Sequence, residues 1–386
     1  MNLPAHDRST YLSIGLLARN EEVAIERALT SLFRQTLFAE LDRRGFAAEI
    51  IVVANACTDD TAGVAERCFR HRQTGHLHGH ALVCRTVSVA APGKINAWNF
   101  FVHQLAARET RYLVLMDADI VFGHETTLSN LCAGLEQHPA ALVATGEPVK
   151  HVARKPHPTP RERLSLAISR LTQGSGPQLT GQLYCIRADT ARRIYLPRGL
   201  AACEDGFIKQ LVCTDFLTRE TDPDRILRVP EASHLFEAYL SLGAVLRNQK
   251  RQMIGQTFVH LLVDRYLPSL GAGADLGRAM RRLDREDPPW LRRLVAGHLR
   301  EIRHFWQLFP GLLSFRFRRL AQRRGLDRLW HLPATLAGFG LTLAGAWLAF
   351  RALRLGTFSY WPGKGRSSDG ASPLNVSPHE PSAHHV

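Results

Sequence analysis

Short, predominantly apolar runs alternate with stretches of helical periodicity over the first half of the chain. The runs of strand length occupy 11–17, 49–54, 81–89, 112–116 and 141–146. Between them, apolar side chains recur every three or four residues, as in amphipathic helices, and Asn20, Glu21 and Glu22 form a typical first helical turn. Regular alternation of strands and helices predicts an α/β fold with a mostly parallel sheet and helices on both faces.

The pattern becomes less regular after Lys150. Proline and basic residues over 151–160 predict a loop. The elements predicted beyond it are a helix over 161–173, a strand over 178–189, a helix over 204–214, a strand over 226–230, and helices from about 238 onward.

The last third of the chain combines arginine-rich and strongly apolar segments. Residues 304–324 predict a basic, aromatic, amphipathic helix that suits a membrane interface, with an ordinary solvated helix as the alternative. Residues 332–350 contain no charge and approach the ~20 residues that span a bilayer. We therefore predict a transmembrane helix over 329–355, with a buried core hairpin as the alternative, and a disordered Ser/Pro/His-rich tail over 362–386.

Composition adds a preference for anionic partners. The 386 residues carry a formal net charge of +14, and 45% of them are hydrophobic. The arginines concentrate beside the apolar segment, which favours an anionic membrane surface over nucleic acid, and no nucleic-acid-binding motif is present. More arginines precede the apolar segment than follow it, which places the main domain on the cytoplasmic side. The seven cysteines include no CxxC pair, as expected of reduced thiols.

The candidate chemistry begins where the fourth strand ends. Asp117 and Asp119 follow the apolar run 112–116, and alternate residues of an extended chain point the same way. Parallel sheets bind ligands at the carboxyl ends of their strands, where two carboxylates can share Mg²⁺ or Mn²⁺ with substrate phosphates. The alternative is a surface turn with two solvated aspartates.

Six separated motifs resemble the family 2 glycosyltransferases, in that family's order and spacing. They are Asn20-Glu21-Glu22 after the first strand, VVANACTDDT (52–61) after the second, the helix start Gly93 to Asn99, Asp117-Ala118-Asp119, the segment Gly181 to Arg187, and Glu204-Asp205. The resemblance covers roughly residues 11–255 and implies the GT-A, Rossmann-like fold of nucleotide-diphosphosugar transferases. It divides residues 1–260 into a nucleotide-binding half, about 11–150, and an acceptor half, about 151–260. Residues 261–328 then form a basic helical segment before the apolar helix.

The resemblance also implies roles for individual residues. Asp205 is expected to be the general base, with Glu204 beside it, and Asp119 to hold the metal with Asp117 assisting or bonding the ribose. Asn20, Glu21 and Asn55 are expected to line the nucleotide pocket. Lys94 is expected to contact phosphate or base. The alternative for each of these side chains is a purely local role in a turn or at a helix start. Two further residues have two interpretations each: His234 as a metal ligand or a structural histidine, and Arg251 as a diphosphate contact or a helix ion pair.

The sequence departs from the family in two places. Ala54-Asn55 stands where a carboxylate usually ends the second strand, and Asn55 can still hydrogen-bond a uracil-like base. Of the Gln-x-x-Arg-Trp element of processive synthases, only Arg251 is present. We therefore expect an inverting enzyme that transfers a single sugar from a nucleotide-diphosphate sugar, with a UDP-sugar favoured, to a hydroxyl acceptor such as a lipid-linked or envelope glycan precursor. The alternatives are a nucleotidyltransferase and a catalytically silent membrane-associated adaptor.

Overall fold

The structure is a computed structural model that describes residues 8–74, 82–163, 165–166, 178–239, 241–271, 273–323 and 325–357. Its strands are β1 (Thr10–Ala18), β2 (Ala47–Asn55), β3 (Leu82–Val89), β4 (Tyr112–Asp117), β5 (Val121–Phe122), β6 (Val143–Lys150), β7 (Leu183–Arg187) and β8 (Ile226–Phe236). They form an eight-stranded sheet in the order β3-β2-β1-β4-β7-β6-β8-β5. The first four are parallel neighbours, whereas β7 is antiparallel to both β4 and β6, and β5 is antiparallel to β8. The predicted α/β fold is confirmed. The sheet is mixed, since beyond β4 the strands pair antiparallel, apart from the parallel pair β6 and β8.

The helices cover both faces of this sheet. They are α1 (Ile25–Phe33), α2 (Leu37–Arg43), α3 (Thr61–Thr74), α4 (Lys94–Phe100), α5 (Thr127–Gln137), α6 (Ala188–Arg193), α7 (Glu204–Cys213), α8 (Leu242–His260), α9 (Leu276–Glu286), α10 (Trp290–Glu301), α11 (Phe315–Ala321) and α12 (Leu326–Arg354). Alternate residues of the buried strands enter different cores, Ile50 and Val52 on one face and Ile51 and Val53 on the other. Apolar runs without polar alternation form strands here because both faces are covered.

The first helix begins later than its sequence predicts. Asn20 takes a left-handed φ of +56°, and α1 starts only at Ile25. The backbone carbonyl of Glu21 accepts hydrogen bonds from the amides of Ala24 and Ile25 at 3.0 and 2.9 Å. Asn20 and Glu21 therefore form a turn between β1 and α1 instead of a first helical turn.

The C-terminal helices pack on the same core as the sheet. Met280, Trp290 and Ala346 belong to one buried cluster with Trp98 of α4 and Phe207 of α7. Helix α12 docks on α8 so closely that a Cβ at Gly345 would lie 2.8 Å from the Cβ of Gln249.

Two predictions for the C-terminal part have different outcomes. The prediction of a single amphipathic helix over 304–324 is wrong. The chain turns at Pro310-Gly311, where Gly311 has a φ of +79°, and α11 starts only at Phe315. In the described part of the chain, α12 is one helix whose length and composition suffice to cross a membrane. The predicted tail 362–386 and most of the predicted helix 161–173 lie outside the described residues.

Candidate active site

Two polar turns meet at the carboxyl ends of β1 and β2. The Oδ1 of Asn20 accepts a hydrogen bond from the amide of Thr58 at 2.8 Å, and the amide of Glu21 donates to Oγ1 of Thr61 at 2.8 Å. Adjacent parallel strands bring these turns together at one edge of the sheet. Asn20 and Glu21 thus lie where the resemblance predicts the nucleotide, and part of their hydrogen bonding stabilises the edge itself.

Asn55 is fully buried and holds the loop that precedes α4. Its Nδ2 donates to the carbonyl of Ala91 at 2.7 Å, and its Oδ1 accepts from the amide of Gly93 at 2.7 Å. Gly93 has a φ of +126°, a conformation that favours glycine, and Lys94 begins the helix directly after it. Asn55 therefore positions Lys94, and its predicted contact with a base stays a prediction.

Lys94 is the centre of a buried charge cluster. Its Nζ lies 2.7 Å from Oδ1 of Asp117 and 2.8 Å from Oε1 of Glu204. The same ammonium donates a hydrogen bond to the carbonyl of Gly181 at 3.1 Å. Only 13% of the Lys94 side chain is exposed, so these charge-assisted contacts form largely out of water. Three predicted motifs from distant parts of the chain thus meet at one nitrogen.

Burial and this lysine set the protonation of the carboxyl groups. Burial raises the pKa of Asp117 to about 6, although the ammonium of Lys94 acts in the opposite direction. Burial also opposes ionisation of Glu204, but Lys94 and Arg251 together hold the pKa of Glu204 below its usual range. Burial and the nearby charge of Glu204 raise the pKa of Asp205 above its ordinary value. Neighbouring carboxyl groups are thereby given different proton affinities, as general acid–base chemistry requires.

Close packing at two glycines fixes the position of Asp205. A Cβ at Gly181 would lie 3.2 Å from the Cβ of Asp205, and a Cβ at Gly255 of α8 would lie 2.4 Å from Sγ of Cys203. Cys203 caps α7 with a left-handed φ of +61°. One oxygen of Asp205 accepts a hydrogen bond from the amide of Gly206 at 2.8 Å. The α7 start is therefore held from both sides, and its acidic pair cannot shift far.

Arg251 lies on α8, close enough to Glu204 for its charge to lower the pKa of that carboxyl group. Arg187, at the end of the Gly181 motif, lies away from the site. It donates hydrogen bonds to the carbonyls of Leu135 and Ala141 at 2.6 and 2.8 Å, near the end of α5. That motif therefore contributes Gly181 to the site, whereas its arginine stabilises a helix end.

His234 reaches the site through the short strand β5. Phe122 of β5 pairs with His234 of β8, which brings the histidine beside the Asp117–Asp119 segment. Its Nε2 lies 3.2 Å from Oε1 of Gln182. The backbone carbonyl of Gln182 in turn accepts a hydrogen bond from the amide of Asp117 at 2.9 Å. Gln182 is absent from the sequence-based set of site residues, and its adjacency to Gly181 is the signal that could have found it.

The donor set around Asp119 fits a divalent cation. Burial lowers the pKa of His234 to about 4, against the attraction of the Asp119 charge, so the ring is neutral. Because Nε2 donates to Gln182, the buried Nδ1 carries the lone pair, and it has no hydrogen-bond partner. A carboxylate and a neutral imidazole nitrogen are ligands that Mn²⁺ accepts. No group of three or more His, Cys, Asp or Glu side chains in the described ranges is arranged to hold an ion alone, so the remaining ligands would come from water and substrate phosphates.

The fold is that of glycosyltransferases of GT-A architecture. A mannosyltransferase from Pyrobaculum calidifontis, solved with GDP-Man and Mn²⁺, is similar at 17% identity and a TM-score of 0.50, covering 92% of this chain and 89% of its own. TarS 1–349 of S. aureus is similar at 15% identity and a TM-score of 0.44, covering 90% and 92%. Glucosyl-3-phosphoglycerate synthase of M. tuberculosis is similar at 17% identity and a TM-score of 0.43, covering 66% and 81%.

Residues 13–187 match the family model described as glycosyl transferase family 2. No curated protein matches the chain. The match ends at Arg187, so Glu204, Asp205, His234 and Arg251 lie beyond it. Their assignment to the site depends on the contacts described above.

Proposed function

We propose that the protein transfers a single sugar, with inversion, from a nucleotide-diphosphate sugar to a hydroxyl group. The observation that carries this proposal is that carboxylate oxygens of Asp117 and Glu204 both lie within 2.8 Å of Nζ of Lys94, and that Asp205 follows Glu204 directly. Inversion needs one base opposite the leaving group, and Asp205 has the raised pKa that suits a base.

Each residue then has a defined task. Asp119 and His234 would hold Mg²⁺ or Mn²⁺, which when bound neutralises charge on the departing diphosphate. Lys94 keeps Asp117 and Glu204 in place and supplies positive charge to the phosphate side of the pocket. Asp205 removes the proton of the acceptor hydroxyl, and the amide of Gly206 fixes one of its carboxylate oxygens.

The donor and acceptor are proposed by class. The similar mannosyltransferase was solved with GDP-Man and Mn²⁺, which supports a metal-dependent nucleotide-sugar donor, and the sequence favours uridine as the base. The exposed, uncharged face of α12 supports an acceptor at a membrane surface, such as a lipid-linked or envelope glycan precursor. The excess of arginines before this segment favours the cytoplasmic side for the catalytic site.

The test is a thermal-shift screen of the purified chain with UDP- and GDP-sugars, with and without Mn²⁺. A ligand that binds only the folded state raises the melting temperature, so a donor should raise it and Mn²⁺ should enlarge the shift. Asp119→Asn should abolish the Mn²⁺-dependent part of the shift and the hydrolysis of the donor, while Asp189→Asn, at a fully exposed carboxylate, should change neither. An undiminished Mn²⁺-dependent shift in Asp119→Asn would remove the metal role of this residue.

A further inference from the structure

Helix α12 has two faces of different character. Thr342, Gly345, Ala346, Ala349 and Leu353 are buried against the rest of the protein. The opposite face is exposed along its whole length, and it includes Leu329, Leu336 and Trp347, whose exposed fractions are 63%, 52% and 49%. At 100° per residue, the two sets lie on opposite sides of the helix.

The exposed face is an uncharged stripe with basic ends. No Asp, Glu, Lys or Arg occurs between Leu329 and Phe350. The stripe from Leu329 to Trp347 is about 27 Å long at the rise of an α-helix. Exposed Arg328 precedes it, and exposed Arg351 and Arg354 follow it. An apolar stripe of this kind with cationic ends complements an anionic lipid surface.

The inner face is occupied by charged and polar parts of the enzyme. The Nε of Arg316 donates a hydrogen bond to Oγ1 of Thr342 at 2.7 Å, near the middle of the uncharged segment. Gly345 contacts Gln249 on α8, the helix that also carries Lys250 and Arg251. If α12 crossed a bilayer in this arrangement, these groups would enter the hydrocarbon, at a cost of several kcal/mol for each charge.

We propose that α12 lies in the plane of an anionic membrane surface and does not cross it. Its stripe contacts the boundary between headgroups and acyl chains, its flanking arginines contact lipid phosphates, and its inner face stays on α8 of the catalytic domain. The proposal builds on the membrane surface invoked for the acceptor, and it is measured without any sugar transfer, so the two can fail separately.

The first experiment measures the depth of the helix in vesicles that contain phosphatidylglycerol. A fluorophore is attached to Leu329→Cys, Gly340→Cys or Trp347→Cys in the full chain, in which the partly exposed Cys57, Cys68 and Cys84 have been replaced by serine. Gly340 tolerates a side chain because no atom lies within 4 Å of its Cβ position. Brominated lipids should quench all three positions at one shallow depth. Deepest quenching at Gly340 would establish a membrane-crossing helix, and no quenching would exclude lipid contact; both overturn the proposal.

The second experiment compares two matched exposed positions. Leu336→Glu places a charge in the stripe, and Val23→Glu places the same charge at a residue that is 76% exposed and lies outside α12, just before α1. Leu336→Glu should weaken binding to phosphatidylglycerol vesicles at least about ten-fold, since it adds an anion to an apolar contact with an anionic surface. Val23→Glu should bind as the unsubstituted chain does. Equal binding by both variants, or loss of self-association in place of vesicle binding on Leu336→Glu, would overturn the proposal, the latter because a second copy would then cover the stripe.

Discussion

Charge is arranged differently at the catalytic edge of the sheet and in the C-terminal helices. At the edge, one lysine and two carboxylates lie largely out of water, with 13% of the Lys94 side chain, 23% of Asp117 and 8% of Glu204 exposed. In the C-terminal helices, arginines pair with acidic residues on the surface, as Arg282 does with Glu286 and Arg323 with Asp327. Water screens the second kind of pair and leaves the first nearly unscreened. The difference teaches that burial, more than the number of charges, decides how strongly an ion pair is coupled.

The largest effect is expected from Asp205→Asn. An amide of the same shape cannot accept the acceptor proton, so turnover should fall about 10²–10⁴-fold, while donor affinity persists. Steady-state rates and donor-induced thermal shifts measure the two quantities. Asp189→Asn serves as the exposed control. If Asp205→Asn turns over at the rate of the control, the base is another group.

Lys94→Met removes the positive charge of the buried cluster. It leaves Asp117 and Glu204 without their shared cation, and loss of one partner from a buried ion pair costs about 3–5 kcal/mol. Urea unfolding should show this loss at neutral pH. Adding Glu204→Gln to Lys94→Met should recover part of it, since one unpaired carboxylate is then removed. No recovery in the double variant would mean that Lys94 acts by packing instead of charge.

The sequence predicts these regions unequally well. Strands β1, β2 and β4 follow from predominantly apolar runs, because burial on both faces favours apolar side chains at successive positions. The motif around Lys94 is visible in the sequence, but its contact with Glu204 is not, since periodicity carries no information on contacts between distant segments. The position of His234 depends on β5, a strand of two residues that is too short to produce any period. Helix α1 starts later than the sequence predicts because the side chain of Asn20 accepts a hydrogen bond from Thr58 in the neighbouring turn.

Helix α8 lies between the two regions, and a glycine on α8 can be compared with one on α10. Gly255→Ala would place a Cβ 2.4 Å from Sγ of Cys203 and 2.9 Å from the backbone of Ala202, so we expect a destabilisation of about 1–3 kcal/mol by overpacking and a lower turnover from displaced Asp205. Gly297→Ala in α10 meets no atom within 4 Å and should stabilise by about 0.5–1 kcal/mol, since alanine favours a helix. Unfolding curves and rates of both variants measure the contrast. Equal effects on stability would mean that the contact at Cys203 relaxes without cost.

The smallest effect is expected from Arg323→Ala, on the exposed side of the comparison. Its guanidinium lies 2.9 Å from Oδ2 of Asp327, nearly as close as the carboxylate contacts of Lys94, yet 51% of the Asp327 side chain is exposed. Solvent screening should limit the change in unfolding free energy to about 0.5 kcal/mol or less, and added salt should reduce it further. Urea unfolding at low and high ionic strength measures this. A loss comparable to that of Lys94→Met, or one insensitive to salt, would show that proximity alone decides the strength of these pairs and would remove burial as the distinction between the two regions.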